Sequence, residues 1–271
     1  MARGRRCRKG ALMETKKMYS VVFSATGSTK TIVRRFCRAF GVDAEEFDVT
    51  REKSQVNQAF DAGDLVVFGV PSYGGRVPVP ALDKIAACEG NGACAVLVVS
   101  YGNRDIDDTL LELADAVEKA GFRVVSAAAF VAQHSIFERV ASGRPDAADF
   151  ADIDAFAKRT HEKLSSASSH DDLPVVQVPG SRPYREFGGV PFIPEIVGAC
   201  TACARCALEC PVGAISLENP KSIDAARCIS CMRCVAVCPL KGRSLRGLKF
   251  KMAAGVFTVK HSRRQGSRMY L

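Results

Sequence analysis

The chain contains no tryptophan in its 271 residues, so no indole borders any flat ligand it holds. It has only four histidines, His134, His161, His170 and His261, scattered without ligand spacing and read as structural or surface residues. No apolar run approaches the roughly 18 to 20 residues that a bilayer crossing requires, so no membrane span is expected. Residues 1–18 carry seven basic side chains and one acidic, but no apolar h-region, and Arg5-Arg6 lacks the hydrophobic stretch of a secretory signal. A cytoplasmic location with reduced thiols follows as the expectation. Met18 just precedes the first strand pattern, which fits a start codon assigned too early. Acidic side chains are absent from residues 241–271, which carry nine basic ones. The two ends contribute +6 and +9 to a formal net charge of +9, leaving −6 on residues 19–240. The basic character is therefore terminal and read as solvated. With no reader motif beside it, no nucleic acid is expected as a partner.

Cysteine is what the chain has in excess. Eight of its twelve fall in two copies of one spacing, Cys200-x2-Cys203-x2-Cys206-x3-Cys210-Pro211 and Cys228-x2-Cys231-x2-Cys234-x3-Cys238-Pro239. Structural zinc takes four tetrahedral ligands, usually as two separated pairs, and has no use for a third cysteine at x2 or a repeated Cys-Pro. The spacing resembles that of two-cluster bacterial ferredoxins, in which each run gives three thiolates to one [4Fe–4S] cluster and its fourth cysteine to the other. That crossing implies one cluster on Cys200, Cys203, Cys206 and Cys238, and a second on Cys228, Cys231, Cys234 and Cys210. Residues 198–242 are too few to bury an adequate apolar core, so the clusters themselves would cross-link this part. Arg205 and Arg233 stand at equivalent places before the third ligand of each run and read as solvent-exposed charges or, close to a cluster, as cations that favour its reduced form. Cys37 and Cys94 lie in apolar helix and strand patterns and read as buried thiols, with Cys7 and Cys88 also outside the ligand sets.

Upstream, short apolar runs at 19–24, 45–49, 64–70, 93–100 and 122–131 predict five strands. Helical periodicity predicts helices over 29–40, 79–88, 106–120 and 147–166. Continuous apolar strands alternating with helices imply a parallel sheet covered on both faces, a doubly wound α/β fold. Ligands of such sheets bind beyond the carboxyl ends of the strands. The loops there are Ser24-Ala25-Thr26-Gly27-Ser28-Thr29, Pro71-Ser72-Tyr73-Gly74-Gly75-Arg76-Val77-Pro78 and Ser100-Tyr101-Gly102-Asn103-Arg104. The first offers four hydroxyls around a glycine at a helix start, a nest suited to phosphate or to ordinary capping. The other two each set a tyrosine beside glycine, where backbone can approach a flat ring. Asp105 and Asp108 read as the N-cap and first turn of the next helix.

The first loop resembles the phosphate loop of flavodoxins, and the second and third resemble their flavin-contacting loops. Joined to the cysteine pair, residues 19–271 resemble the bacterial and archaeal flavodoxin–ferredoxin fusions, sometimes called the EFR1 family. The resemblance implies a five-stranded flavodoxin-like sheet of order 2-1-3-4-5 followed by a small α+β ferredoxin domain. It implies FMN, its phosphate on Ser24, Thr26, Gly27, Ser28 and Thr29, and its ring bordered by Ser72, Tyr73, Gly74, Gly75, Tyr101, Gly102 and Asn103. Many flavodoxins stack a tryptophan on the flavin, and this chain departs from that pattern.

Five of the twelve prolines, Pro174, Pro179, Pro183, Pro191 and Pro194, gather between Ser165 and Gly198. The expected organisation is a basic leader at 1–18, an FMN-binding domain at 19–166, a proline-rich linker at 167–197, the cluster domain at 198–242 and a basic tail at 243–271. The tail is compatible with one helix over 245–260. The expected function is electron transfer between FMN, two [4Fe–4S] clusters and redox partner proteins. An FMN-dependent oxidoreductase acting on a small substrate stays open as the alternative, and a redox-sensing module stands behind both. No catalytic residue is assigned.

Overall fold

The computed structural model describes residues 15–169 and 172–271; Arg5-Arg6, Cys7, most of the expected leader and His170 lie outside the described residues. Five parallel strands, β1 (Met18–Val22), β2 (Ala44–Asp48), β3 (Leu65–Pro71), β4 (Cys94–Tyr101) and β5 (Arg123–Val131), run in the order β2-β1-β3-β4-β5. This is the flavodoxin-like order, whose switch point lies between β1 and β3. Helices α1 (Ser28–Phe40) and α4 (Ala147–Ser166) pack together on one face, and α2 (Val79–Ala86) and α3 (Thr109–Lys119) on the other.

The alternating side chains of each strand feed two cores. On β4, Ala95, Leu97 and Val99 join Phe60, Phe68, Ile85, Leu110 and Phe122, while Cys94, Val96 and Val98 join Ile32, Val33, Phe36, Phe130 and Phe156. Both faces are covered, so the strands read as unbroken apolar runs. At the start of α4 the Asp146 side chain accepts from the Ala148 and Asp149 amides in a capping box.

After α4 the chain crosses the α3 side in extended form, makes β6 (Glu195–Ile196), and enters the cysteine segment. There the short helices α5 (Arg205–Leu208) and α6 (Arg233–Ala236) follow equivalent turns of the two runs. β7 (Arg243–Ser244) closes that segment antiparallel to β6. Helix α7 (Leu248–Lys260) then turns Phe250 and Phe257 onto Phe137 and Phe192, at ring centroid separations of 4.5 to 5.9 Å, and leaves Leu248, Met252, Val256 and Val259 exposed.

The last residues of the tail are bound to the sheet. β8 (Arg268–Tyr270) pairs antiparallel with β5 as a sixth strand. The cause is charge complementarity with the acidic body: Arg264 meets Asp146 at 2.7 Å, Arg268 meets Asp105 at 2.9 Å, and Ser267 donates to Asp152 at 2.7 Å. Buried Arg144, paired with Asp149, also donates to the Gln265 carbonyl at 2.8 Å.

Candidate functional site

The loops after β1, β3 and β4 converge on one cavity of about 250 Å³. Thr26, Ser28 and Thr29 of the first loop, Ser72, Tyr73 and Gly74 of the second, and Tyr101 and Gly102 of the third stand in its wall. Ser24, Gly27, Gly75 and Asn103, expected at the same site, are not in the wall. Ser24 Oγ accepts the Lys30 amide at 3.1 Å, and Thr29 Oγ1 shares a hydrogen bond with Ser100 Oγ at 2.7 Å, so two of the four hydroxyls are already engaged. Among the described residues the Thr26 and Ser28 hydroxyls have no hydrogen-bond partner. Gly27 opens α1 in the left-handed region at φ 96° with no side-chain cap, and the first turn carries no acidic residue, which leaves the positive helix end for an anion. Lys30 is turned away into ion pairs with Glu46 (2.8 Å) and Asp48 (2.9 Å).

The glycines make room for side chains of the same protein. At Gly74, φ 61°, a Cβ would fall 2.2 Å from the Phe187 ring, and at Gly102 one would fall 2.6 Å from His134 Cδ2. The third loop serves the C-terminal segment: Asn103 Nδ2 donates to the His261 and Arg263 carbonyls at 2.8 and 2.9 Å, its Oδ1 accepts the Gln265 amide, and the Tyr101 hydroxyl donates to the Gly266 carbonyl at 2.8 Å. Burial raises the Tyr101 phenol. Asp108 sits at the N-cap position of α3, but its carboxylate accepts the Ser181 and Arg185 amides of the linker at 2.8 and 2.7 Å.

Opposite the loops, the cavity wall is built by Phe187 and Val190 of the linker, Phe257 of α7, the loop after β5 with His134, and Ile229 and Ser230 of the second cysteine run. His134 was not singled out by the sequence, because one histidine in a loop carries no local signal. Its Nδ1 accepts the amides of Ile136 and Phe137 at 3.1 and 3.2 Å, which leaves the proton on Nε2. Burial, helped by nearby His261 and Arg104, lowers its pKa to about 4, so the ring is neutral at pH 7.

The eight motif cysteines surround two further cavities. Cys200, Cys203, Cys206 and Cys238 line one, and Cys210, Cys228, Cys231 and Cys234 line the other. Among the described residues no three His, Cys, Asp or Glu side chains close on a single-ion site, so the sulfurs ring a space and do not meet at a point. The backbone suits an anionic occupant. Ala202, Ala204, Ser230 and Met232, equivalent in pairs between the runs, are all left-handed at φ 52 to 63°. Such positions cost about 1–3 kcal/mol each and form the amide nests found at iron–sulfur sites. The Ala214 amide donates to Cys210 Sγ at 3.3 Å and the Gly242 amide to Cys238 Sγ at 3.2 Å, each four residues after a Cys-Pro cysteine. Burial pushes the Cys231 and Cys234 thiols up to about 12, so a metal bound there would have to displace their protons. Cys37, Cys88 and Cys94 are buried elsewhere, their thiols raised to about 12, 11 and 11, as inert core residues.

The second cysteine cavity adjoins the loop cavity. Ile229 and Ser230 wall both, and burial raises the Tyr73 phenol with a further contribution from Cys231. Arg205 is exposed as expected, but Arg233 is not: it ion-pairs with Glu209 and donates to the Ala25 carbonyl of the first loop at 3.2 Å. Burial pushes the Glu209 carboxyl up, but Arg233 and Arg51 outweigh it and hold it below the usual range.

Residues 199–242 match the 4Fe-4S dicluster domain. Among curated proteins, none matches the chain. Similar solved structures include a flavodoxin from the domain Archaea, 14% identical over 55% of this chain and 98% of that one with a TM-score of 0.39. A flavodoxin of Streptococcus pneumonia TIGR4 is 18% identical over 54% of this chain and 99% of its own, with a TM-score of 0.38. A short-chain flavodoxin associated with a non-canonical PDU bacterial microcompartment is 16% identical over 55% and 99%, with a TM-score of 0.39. The strand order, not these scores, defines the first part of the molecule. With the matched cysteine segment beyond it, the chain has the architecture of a flavodoxin–ferredoxin fusion, a flavodoxin-like sheet joined to a 4Fe-4S domain.

Proposed function

We propose that the protein is an electron-transfer flavo-iron-sulfur protein that holds FMN in the loop cavity and one [4Fe–4S] cluster in each cysteine cavity, serving redox partner proteins. The observation that carries this reading is the pair of four-cysteine cavities, one of which shares the Ile229–Ser230 wall with the loop cavity. When bound, flavin supplies exchange between two-electron and one-electron chemistry, and each cluster carries single electrons.

The chain's own residues supply placement. The start of α1 with Thr26 and Ser28 would hold the phosphate, and Tyr73 and Tyr101 would border the ring. His134 offers a neutral Nε2–H donor to that cavity, its tautomer fixed by two backbone amides. Ser230 Oγ donates to the Val190 and Phe192 carbonyls at 3.2 and 2.8 Å, and Arg233 bridges Glu209 to Ala25, so the second cysteine run is held against the loops. Cys200 and Cys203 are exposed, which turns the first cysteine cavity toward solvent and an incoming partner.

A reductase would need a substrate to enter the loop cavity, and Phe187, Val190 and Phe257 already wall it opposite the loops. The carrier reading is therefore preferred. Its test is anaerobic purification with iron, sulfide and flavin measured on one sample, where about eight irons and one FMN per chain are expected. Material without flavin, or with one metal ion per chain, would sink the reading. Rapid reoxidation of the flavin by one small molecule, with no response to protein acceptors, would favour the reductase.

A further inference from the structure

The two cysteine cavities are built by equivalent segments with one chemical difference. Twenty-eight residues separate the matching cysteines, and the same offset relates Gly242-Arg243 in the wall of the first cavity to Ala214-Ile215 in the wall of the second. One position is a cation and its counterpart is an alkyl side chain. Both are buried, Arg243 at 4% exposure and Ile215 at 5%.

Arg243 is an unusual cation. Its Nη2 donates to the Pro220 carbonyl, and its Nη1 is the buried side-chain nitrogen or oxygen left without a hydrogen-bond partner among the described residues. Among the described residues no carboxylate pairs with it. Arg144, the other buried arginine, shows the usual arrangement, a guanidinium against the Asp149 carboxylate. A buried, unpaired charge is strongly unfavourable unless an opposite charge lies beside it. The cavity that Arg243 walls is the first, although its charge also reaches the Cys234 thiol of the second, and a cluster bound by four thiolates is an anion that gains one further negative charge when one electron reduces it. Arg233, next to the second cavity, offers no equivalent, because Glu209 neutralises it.

We propose that Arg243 makes the two clusters unequal: its unpaired charge favours the reduced form of the cluster held by Cys200, Cys203, Cys206 and Cys238 over that held by Cys228, Cys231, Cys234 and Cys210. The inference rests on the electron-transfer reading above, and gives it a direction. The solvent-facing cluster is the better electron acceptor of the pair, and the cluster beside the loop cavity is the better donor.

The test is a potentiometric titration of the full chain followed by electron paramagnetic resonance, for wild type, Arg243→Gln and Arg243→Lys, each with iron and flavin counted. Wild type is expected to reduce in two separated steps. Arg243→Gln should move the higher step about tenfold toward the oxidised form, a shift of about 59 mV for one electron, and narrow the separation, while Arg243→Lys stays within about threefold of wild type. Unmoved steps in Arg243→Gln, or a shift in Arg243→Lys as large as in Arg243→Gln, would overturn the inference with the function intact. If Arg243→Gln loses its iron and Arg243→Lys keeps it at the wild-type potential, the need for the charge is upheld. If both lose it, Arg243 is a packing residue and the inference falls. A wild-type chain without clusters overturns both this inference and the function it rests on.

Discussion

At the scale of single residues, the site depends on groups whose roles come from neighbours remote in sequence. His134 illustrates this. Its unfolded pKa is near 6.5, and burial lowers the folded value to about 4, so between these values the unfolded chain takes up a proton that the folded chain refuses. The stability tied to neutral His134 is thus present above pH 6.5 and lost as the pH falls toward 4, by about 3 kcal/mol in all and about 2 kcal/mol by pH 5. His134→Asn keeps an acceptor for the Ile136 and Phe137 amides but does not titrate. Urea unfolding at pH 7 and pH 5 should show the wild type losing about 2 kcal/mol more than the variant. Equal losses would contradict the assignment. Phe257 and Phe137 close on the ring at 5.0 and 5.1 Å, and His261 and Arg104 are the charged neighbours that act with burial.

At the scale of elements, the periodicity of the sequence located every strand and helix of the parallel sheet to within a few residues. The sequence placed the N-cap of α3 at Asp105 and Asp108 in its first turn; the structure puts Asp108 at the N-cap and Asp105 in an ion pair with Arg268. An N-cap carboxylate ordinarily accepts amides of its own helix, but here the linker supplies Ser181 and Arg185 instead, and Arg182 and Tyr184 both bind Asp115 about two helical turns further on. α3 is therefore the rail along which the linker is fastened. Asp108→Ala should leave two linker amides without acceptors and destabilise the strap by about 1–3 kcal/mol. Limited proteolysis reads this directly: cleavage within 174–187 should become at least about fivefold faster than in wild type, and an unchanged rate would mean that Asp115 alone fastens the strap.

At the scale of the whole molecule, the cysteine segment is tied to the sheet at both ends. The linker leads in along α3, and α7 with β8 leads back to β5. A segment held at two points cannot swing as one on a single linker does, which keeps the Ile229–Ser230 turn beside the loop cavity. The segment itself has little apolar core beyond Ala214, Ile215 and Met232, so its fold should depend on its metal. Stripping the iron with an oxidant and chelator should abolish amide protection in 199–242 and spare β1 to β5, as read by hydrogen exchange. Retained protection in the stripped segment would show that the two tethers suffice.

The sequence alone determined the features that short stretches encode: five strands and four helices from apolar periodicity, three converging loops from strand–helix junctions, and two sets of four cysteines from their spacing. These are local because one strand, one helix or one cysteine turn places its own side chains. Tertiary structure decided the rest. It put Asn103 and Tyr101 onto a tail more than 150 residues away, brought His134 to the loop cavity, set the second cysteine cavity and not the first against it, and buried Arg243 without a counter-charge. Each of these depends on which surfaces meet once the chain returns to its own sheet, and a contact between distant segments leaves no period or spacing in either one.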